Sequence, residues 1–176
     1  MTTDEHDCAP FTVHRASTRA DWRDATALLH DYAEWVRGWT GLDPVAEQPQ
    51  LGAELARPDD HYATGAATLY LAAWQAIAVG AVAIRVQPDA SAELKRMYVR
   101  PVARGRGVAD RLIDVAIARA TTQQCHTAWL ETMRGAMDPA ISVYRRNGFA
   151  ESSTRPPTLS IERAIVMERS LSSGRV

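Results

Sequence analysis

The sequence predicts an α/β protein in which helices flank a mixed β-sheet, and three observations indicate this class. In the first half, two neighbouring strand patterns are joined by a tight turn, which is typical of an antiparallel hairpin. In the second half, strand, helix and strand alternate, which is typical of a parallel crossover. Of the 176 residues, 46% are hydrophobic, so the chain can bury a substantial core.

The elements of the first half follow from hydrophobic spacing. Thr18 and Asp21 fit a capping box, and hydrophobic residues then recur every three or four positions, which predicts a helix that Gly38 and Gly41 end. A short helix is predicted near residues 51–57. Alternating or continuous hydrophobic runs predict four strands, at residues 11–17, 67–74, 77–86 and 93–99.

The second half predicts two more helices and at least two more strands. The helices are residues 105–120 and 138–147, and the strands are residues 126–132 and 164–171. Asp138 is predicted to cap the later helix, with Pro139 at its first position and Gly148 after its end. We expect residues 11–171 to form one domain between two tails, residues 1–10 and 172–176.

Composition excludes several classes of function. The formal net charge is −1, so bulk electrostatics do not favour nucleic acid or a membrane surface as a partner. No hydrophobic run approaches 18 residues, and the polar N-terminus lacks a secretory core, so we expect a cytoplasmic protein. The two cysteines, Cys8 and Cys125, have no metal or redox spacing, and the five histidines are scattered, so no metal site is predicted.

The stretch RMYVRPVARGRGVADRLID, residues 96–114, places two glycines between a strand and a helix. The first N–H groups of a helix lack partners within it, so this turn can bind a phosphate. Six basic residues crowd residues 95–111: Lys95, Arg96, Arg100, Arg104, Arg106 and Arg111. A nucleotide P-loop would need a Lys-Ser/Thr pair, and a dinucleotide fold a third glycine, and both are missing. Glycines that serve only to turn the chain are the alternative.

The surrounding motifs are more specific than the glycines alone. RGRGVA, residues 104–109, fits the pattern R/Q-x-x-G-x-G/A, and AISVYRRNGF follows about thirty residues later. With the closing IVMERSL, the sequence resembles the GCN5-related N-acetyltransferases (GNAT) over residues 11–171. The resemblance implies the acyl-CoA N-acyltransferase fold, a strongly twisted mixed sheet whose fourth and fifth strands, residues 93–99 and 126–132, splay apart around acetyl-CoA.

The same resemblance implies where acetyl-CoA binds. Its pantetheine arm would pair with the backbone at Met97 and Val99. Its pyrophosphate would lie on the N–H groups of six consecutive residues: Arg104, Gly105, Arg106, Gly107, Val108 and Ala109. The N–H of Val99 or a neighbour would polarise the thioester carbonyl. The family requires no metal.

Two residues are the candidate catalytic groups. Tyr144 holds the tyrosine place of Y-x-x-x-G-F, where family members bring a hydroxyl to the sulfur, although it could instead be a core aromatic. Glu93 is the candidate general base; the alternative is an ordinary acid paired with Arg85 or Arg96. Glu131 could serve as a base or bind a cationic amine. Many members use a water chain without a dedicated base.

The acceptor site is expected between residues 30–62 and the loop 132–138. Its candidate residues are Tyr32, Trp35, Glu131 and Arg134. Aromatic walls with acids suit a cationic amine, whereas Arg134 could meet an acidic substrate. We therefore expect an enzyme, monomeric or homodimeric, that transfers acetyl directly to a primary amine of a small molecule. The alternatives are acetylation of a protein or peptide amine, and a non-catalytic acyl-CoA sensor.

Overall fold

The computed structural model describes residues 11–135, 137–159 and 162–171; the two predicted tails lie outside this part of the chain. Its strands are β1 (Thr12–Arg15), β2 (Ala67–Trp74), β3 (Ile77–Val86), β4 (Ser91–Val99), β5 (Thr127–Met133), β6 (Ala150–Glu151) and β7 (Ala164–Ser170). Its helices are α1 (Arg19–Thr40), α2 (Pro44–Glu47), α3 (Pro49–Ala56), α4 (Pro58–Tyr62), α5 (Val108–Thr122) and α6 (Asp138–Arg146), and a 3₁₀ turn spans Pro101–Ala103.

The strands form a mixed sheet, as the sequence predicts. Their order is β1-β2-β3-β4-β5-β7-β6, and every neighbouring pair is antiparallel except β4 and β5. The parallel pair is joined through α5, which is the predicted crossover. β4 and β5 pair at only three positions, Ser91 with Thr127, Ala92 with Ala128 and Glu93 with Trp129. Beyond Glu93 the two strands diverge, so the predicted splay is confirmed.

Helices cover both faces of the sheet. On one face, α5 and α6 bury Leu112, Ile113 and Ile141 against the sheet. On the other face, α1 and α3 bury hydrophobic side chains that include Leu28 and Leu51. The gap between β4 and β5 therefore lies inside a layered core, where a side chain or ligand in it is partly withdrawn from water.

Three predicted boundaries need correction. α1 continues through Gly38 and ends at Gly41, which is in the left-handed conformation. The capping box of Thr18 and Asp21 at the start of that helix is present as predicted. α5 begins three residues later than predicted, because the residues before Val108 form a glycine turn. The N-cap of α6 is Met137 rather than Asp138, whose carboxylate instead accepts from the Gly135 N–H at 2.8 Å.

Candidate active site

A cavity of about 490 Å³ lies beside the part of β4 that has left β5. Four elements line it: the end of β4, the turn before α5 with the first turn of that helix, one face of α6, and two tryptophans of α1. Its lining residues are Trp35, Trp39, Met97, Tyr98, Val99, Ala103, Arg104, Gly105, Gly107, Val108, Ala109, Asp110, Pro139, Ala140, Val143, Tyr144 and Arg146. The predicted cofactor residues are thus brought to one cavity, except that Arg106 does not line it. We call it the first cavity.

A β-bulge directs the end of β4 toward the first cavity. Lys95 pairs with Ala83 and Tyr98 with Ala81, so two residues of β4 face a single residue of β3. Arg96 is one of these two, and its φ of 56° lies in the left-handed region. An extra residue turns the side chains that follow it toward the opposite face of the sheet. Met97 and Val99 consequently line the cavity.

The turn into α5 leaves backbone N–H groups facing the first cavity. Gly105 and Gly107 have φ values of 72° and 77°, which residues with a Cβ rarely adopt. A Cβ built at either glycine meets no atom within 4 Å, so the space in front of the turn is open. Gly107 is the N-cap of α5 and makes no side-chain cap hydrogen bond. The first N–H groups of this 15-residue helix are therefore available to an anion.

The arginines near the turn divide into two groups. Arg104 and Arg106 flank the open turn: Nε of Arg104 donates to the Val99 carbonyl at 2.9 Å, and the Arg106 guanidinium lies 4.5 Å from the centre of the Trp74 ring. Arg146 instead has a structural role. It donates twice to Asp110, at 2.8 and 2.7 Å, and so joins α6 to α5. The hydrogen bonds from Arg146 hold the pKa of Asp110 below its ordinary value.

Tyr144 lines the first cavity from α6. Its ring packs edge-on against Phe149, with 6.1 Å between ring centres, and the residue is 7% exposed. Burial raises the pKa of the Tyr144 hydroxyl, and the neighbouring Tyr32 adds to the shift. The ring packs in the core and the residue borders the cavity. This position is therefore compatible both with a core aromatic and with a hydroxyl that acts in catalysis.

The structure does not bring Glu93 to the first cavity. Glu93 occupies the last position at which β4 still pairs with β5. Its carboxylate accepts from Nε2 of Gln87 at 3.1 Å and lies 3.8 Å from Nζ of Lys95. Arg85 faces Glu93 across the β3–β4 ladder, which is one of the pairings considered from sequence. These contacts are typical of a structural acid, and the role of Glu93 as a general base stays a prediction.

A second, smaller cavity of about 60 Å³ opens between α1, α2 and the end of β5, and we call it the acceptor cavity. Its lining residues are Tyr32, Val36, Thr40, Leu42, Pro44, Glu47, Gln48, Glu131, Thr132, Met133, Met137 and Leu159. These residues come mainly from the two regions that the sequence indicated. Trp35 and Val36 are consecutive on α1 and line one cavity each, so this helix contributes to both cavities.

The four candidate acceptor residues separate in the structure. Tyr32 and Glu131 line the acceptor cavity, whereas Trp35 lines the first cavity. The Glu131 carboxylate accepts from Oγ1 of Thr158 at 2.6 Å and from the Leu159 N–H at 2.7 Å. Arg134 lines neither cavity and is paired with Glu151. Its proposed contact with an acidic substrate has no support in this arrangement.

A buried polar cluster behind the bulge went unnoticed in the sequence. Glu54 is 0% exposed, and its carboxylate accepts from Nε of Arg96 and from the Tyr62 hydroxyl, both at 2.6 Å. Arg96 also donates to Gln48 at 2.6 Å, and Lys95 Nζ lies 3.7 Å from Glu54. Burial opposes ionisation of Glu54, but Arg96 and Tyr62 outweigh it and hold its pKa below the ordinary value. The sequence feature that could have indicated this cluster is a glutamate between Leu51 and Leu55 on a hydrophobic helix face.

A cavity beside a splayed parallel strand pair, with a glycine turn and a helix start at its mouth, defines an acyl-CoA N-acyltransferase. A family model described as the acetyltransferase (GNAT) family matches residues 33–149, and the chain belongs to this family of acyltransferases, which use acetyl-CoA. No curated protein matches the sequence.

Solved structures show the same fold at low identity. A GNAT-family acetyltransferase from Staphylococcus aureus Mu50 is 19% identical with a TM-score of 0.74, over 93% of this chain and 100% of that one. The PaiA N-acetyltransferase from Thermoplasma acidophilum, solved with coenzyme A, is 14% identical with a TM-score of 0.72, over 92% and 99%. The Escherichia coli ribosomal-protein-S18-alanine N-acetyltransferase is 18% identical with a TM-score of 0.66, over 93% and 95%.

The described residues contain neither a candidate metal site nor a candidate membrane-spanning helix. No group of three or more histidine, cysteine, aspartate or glutamate side chains there is placed to hold a metal ion. No helix in that part of the chain is long and hydrophobic enough to cross a membrane.

Proposed function

We propose that the protein transfers the acetyl group of acetyl-CoA directly to a primary amine of a small molecule, and that residues 11–171 act as one catalytic domain. One observation carries the proposal. The first cavity extends from the open glycine turn, along Met97 and Val99, to Tyr144, and α1 contributes residues both to it and to the second cavity. The Thermoplasma neighbour was solved in complex with coenzyme A, which supports an acyl-CoA as the co-substrate of this chain.

The N–H groups at the start of α5 would bind the pyrophosphate, with Arg104 and Arg106 adding positive charge. A side chain at Gly107 would enter the open space that the phosphate needs. The pantetheine amides would pair with the backbone at Met97 and Val99, where β4 has lost β5 as a partner. A backbone N–H there would polarise the thioester carbonyl.

Tyr144 would donate a proton to the departing thiolate. Its raised pKa keeps the hydroxyl protonated through the neutral range, so it remains a donor when charge develops on sulfur. The amine must attack as the neutral form and lose a proton afterwards. Glu93 does not line the first cavity and Asp110 is held by Arg146, so we assign this proton to solvent.

Direct transfer is favoured because no cysteine among the described residues lines either cavity. Cys125 is 3% exposed and packs in the hydrophobic core, so it offers no thiol for an acetyl-enzyme. A small acceptor is favoured over a protein amine because the acceptor cavity has a volume of only about 60 Å³.

The test is incubation of the protein with acetyl-CoA and a panel of amines and peptides, read by mass spectrometry for a gain of one acetyl group. We expect acetylation of small primary amines with release of one CoA per product. Binding of acetyl-CoA without transfer to any acceptor would support the sensor alternative. Acetylated peptides with unmodified small amines would favour a protein substrate.

A further inference from the structure

We propose that Arg96 is a positioning residue for acetyl transfer. Its side chain, held by Glu54 and Gln48, keeps the β4 bulge in its left-handed conformation, and the bulge presents the backbone of Val99 to the first cavity. Arg96 itself does not line that cavity, so it acts through the strand and does not contact the cofactor. This inference rests on the proposed function, because it concerns how the same site is assembled.

The backbone conformation of Arg96 is the first observation. Its φ is 56°, in the region that glycine adopts freely and that a residue with a Cβ rarely adopts. Such a conformation costs free energy and persists only where the surrounding contacts hold it. The bulge therefore requires interactions that favour it over a regular ladder, in which each residue of β4 would face one residue of β3.

The side chain of Arg96 supplies these interactions. Arg96 is 5% exposed, and it donates from Nε to the Glu54 carboxylate and from Nη1 to Oε1 of Gln48, both at 2.6 Å. The Tyr62 hydroxyl donates to the same Glu54 oxygen at 2.6 Å, and the guanidinium lies 6.0 Å from the centre of the Tyr32 ring. In a regular strand, Arg96 would point to the other face of the sheet and leave Glu54 buried without its cation.

The two faces of β4 show what the bulge achieves. Lys95 and Arg96 are consecutive, yet both approach Glu54 on the side of α3. Beyond them, Met97 and Val99 pack with the core cluster on the side of α5 and line the first cavity. A regular strand would keep Lys95, Met97 and Val99 on one face. The bulge therefore moves Met97 and Val99 from the α3 side to the cavity.

The backbone polar groups follow the same shift. The Arg100 N–H donates to the Val79 carbonyl of β3 at 2.8 Å. The Val99 carbonyl instead accepts from Nε of Arg104 at 2.9 Å. Since successive residues of an antiparallel strand point their polar groups to alternate sides, the Val99 N–H points away from β3, into the gap that β5 has left. This N–H would polarise the thioester carbonyl, and a shift by one residue would direct it to β3 instead.

Two substitutions isolate the backbone conformation. Arg96→Gly and Arg96→Ala lose the same ion pair, but only glycine adopts a positive φ freely, so alanine should disfavour the bulge on the order of tenfold more. With an amine identified by the acetylation panel and with acetyl-CoA saturating, we expect kcat of Arg96→Ala to fall about 10²-fold, the effect of a misplaced catalytic donor. Arg96→Gly should keep a kcat about tenfold or more above that of Arg96→Ala.

Two controls separate this effect from a loss of stability. Both substitutions leave the Glu54 carboxylate buried without Arg96, so each is also made together with Glu54→Gln, which removes that charge and keeps the side-chain shape. Gln124→Gly and Gln124→Ala are the matched pair, because Gln124 has a φ of 59° and lines neither cavity. In the matched pair, alanine should lower Tm relative to glycine, but kcat should be equal.

The affinity for acetyl-CoA distinguishes failure of this inference from failure of the proposed function. Because the pantetheine arm would pair with the strand beyond the bulge, calorimetry should give a weaker Kd for Arg96→Ala than for Arg96→Gly. If an amine is acetylated, equal kcat in these two variants, or the same difference in the Gln124 pair, overturns the positioning role while the proposed function stands. If no amine is acetylated, the proposed function fails, and an equal Kd in the two variants overturns the positioning role as well.

Discussion

Removal of the buried carboxylate of Glu54 should be among the most destabilising single changes in the protein. Glu54 is 0% exposed and Arg96 is 5% exposed, and their 2.6 Å contact compensates both charges. Glu54→Leu leaves the guanidinium buried without its carboxylate partner, which typically costs about 3 to 5 kcal/mol. For a chain of this size, each kcal/mol shifts Tm by about 2 to 4 °C, so we expect a loss of roughly 6 to 20 °C.

A triple variant tests whether the instability of Glu54→Leu comes from the unpaired charge of Arg96 or from the loss of the ion pair itself. Glu54→Leu with Tyr62→Phe and Arg96→Met removes both buried charges and the hydroxyl that donates to Glu54 together, and leaves Gln48 and Lys95 in place. Hydrophobic replacement of a whole buried ion pair is often neutral or stabilising. We therefore expect the triple variant to recover most of the stability lost by the single one. Urea denaturation of both variants, with the slope compared, measures this.

The same carboxylate makes stability depend on pH with a defined sign. The pKa of Glu54 is lowered from 4.5 in the folded protein, so its contribution is present above that value and is lost as pH falls through the folded pKa. The triple variant should lose less stability than wild type between neutral pH and pH values below about 4.5. A single Glu54→Leu variant within about 1 kcal/mol of wild type would refute the whole account of this cluster.

Three further predictions concern catalysis and the cofactor. Gly107→Asp should abolish acetyl-CoA binding by calorimetry, whereas Gly107→Asn, which has the same shape and tolerates positive φ, should retain more of it; equal loss would mean that charge at the turn is irrelevant. CoA at a hundredfold excess over Kd should stabilise the protein by about 2.7 kcal/mol in thermal denaturation, and ATP much less; equal shifts would indicate a generic anion site. Tyr144→Phe should lower kcat by about 10²- to 10⁴-fold with little change in Tm or in cofactor affinity; full kcat would exclude a proton from its hydroxyl.

The fold could be predicted largely because its signals are local. Hydrophobic spacing and turn residues placed the strands 67–74 and 77–86 at the bounds that the structure has. Boundaries failed where two local signals competed. Both Gly38 and Gly41 were predicted to end α1, but the helix continues through Gly38 and only Gly41 caps its end. The two-residue strand Ala150–Glu151 was missed, since it exists only through pairing with β7 and has no periodicity of its own.

The glycine turn and Glu93 differ in how well the sequence could indicate their positions relative to the first cavity. The cofactor turn is one contiguous stretch in which glycine, arginine and helix signals coincide, so its residues could be listed in advance. Glu93 was chosen by its separation from Arg104 along the chain, but that separation says nothing about which face of β4 a side chain occupies. The bulge at Arg96 changes the face partway along the strand, and a non-glycine residue at positive φ gives no warning in sequence.

Arg96 at the bulge also connects the walls of the two cavities. Arg96 donates to Glu54 behind the sheet and to Gln48, which lines the acceptor cavity. The next residue, Met97, lines the first cavity. One guanidinium therefore holds α2 and α3 against β4 at the point where the strand turns its side chains toward the cofactor. Glu54 and Gln48 are 42 and 48 residues from Arg96 along the chain, so no local sequence pattern could indicate these contacts.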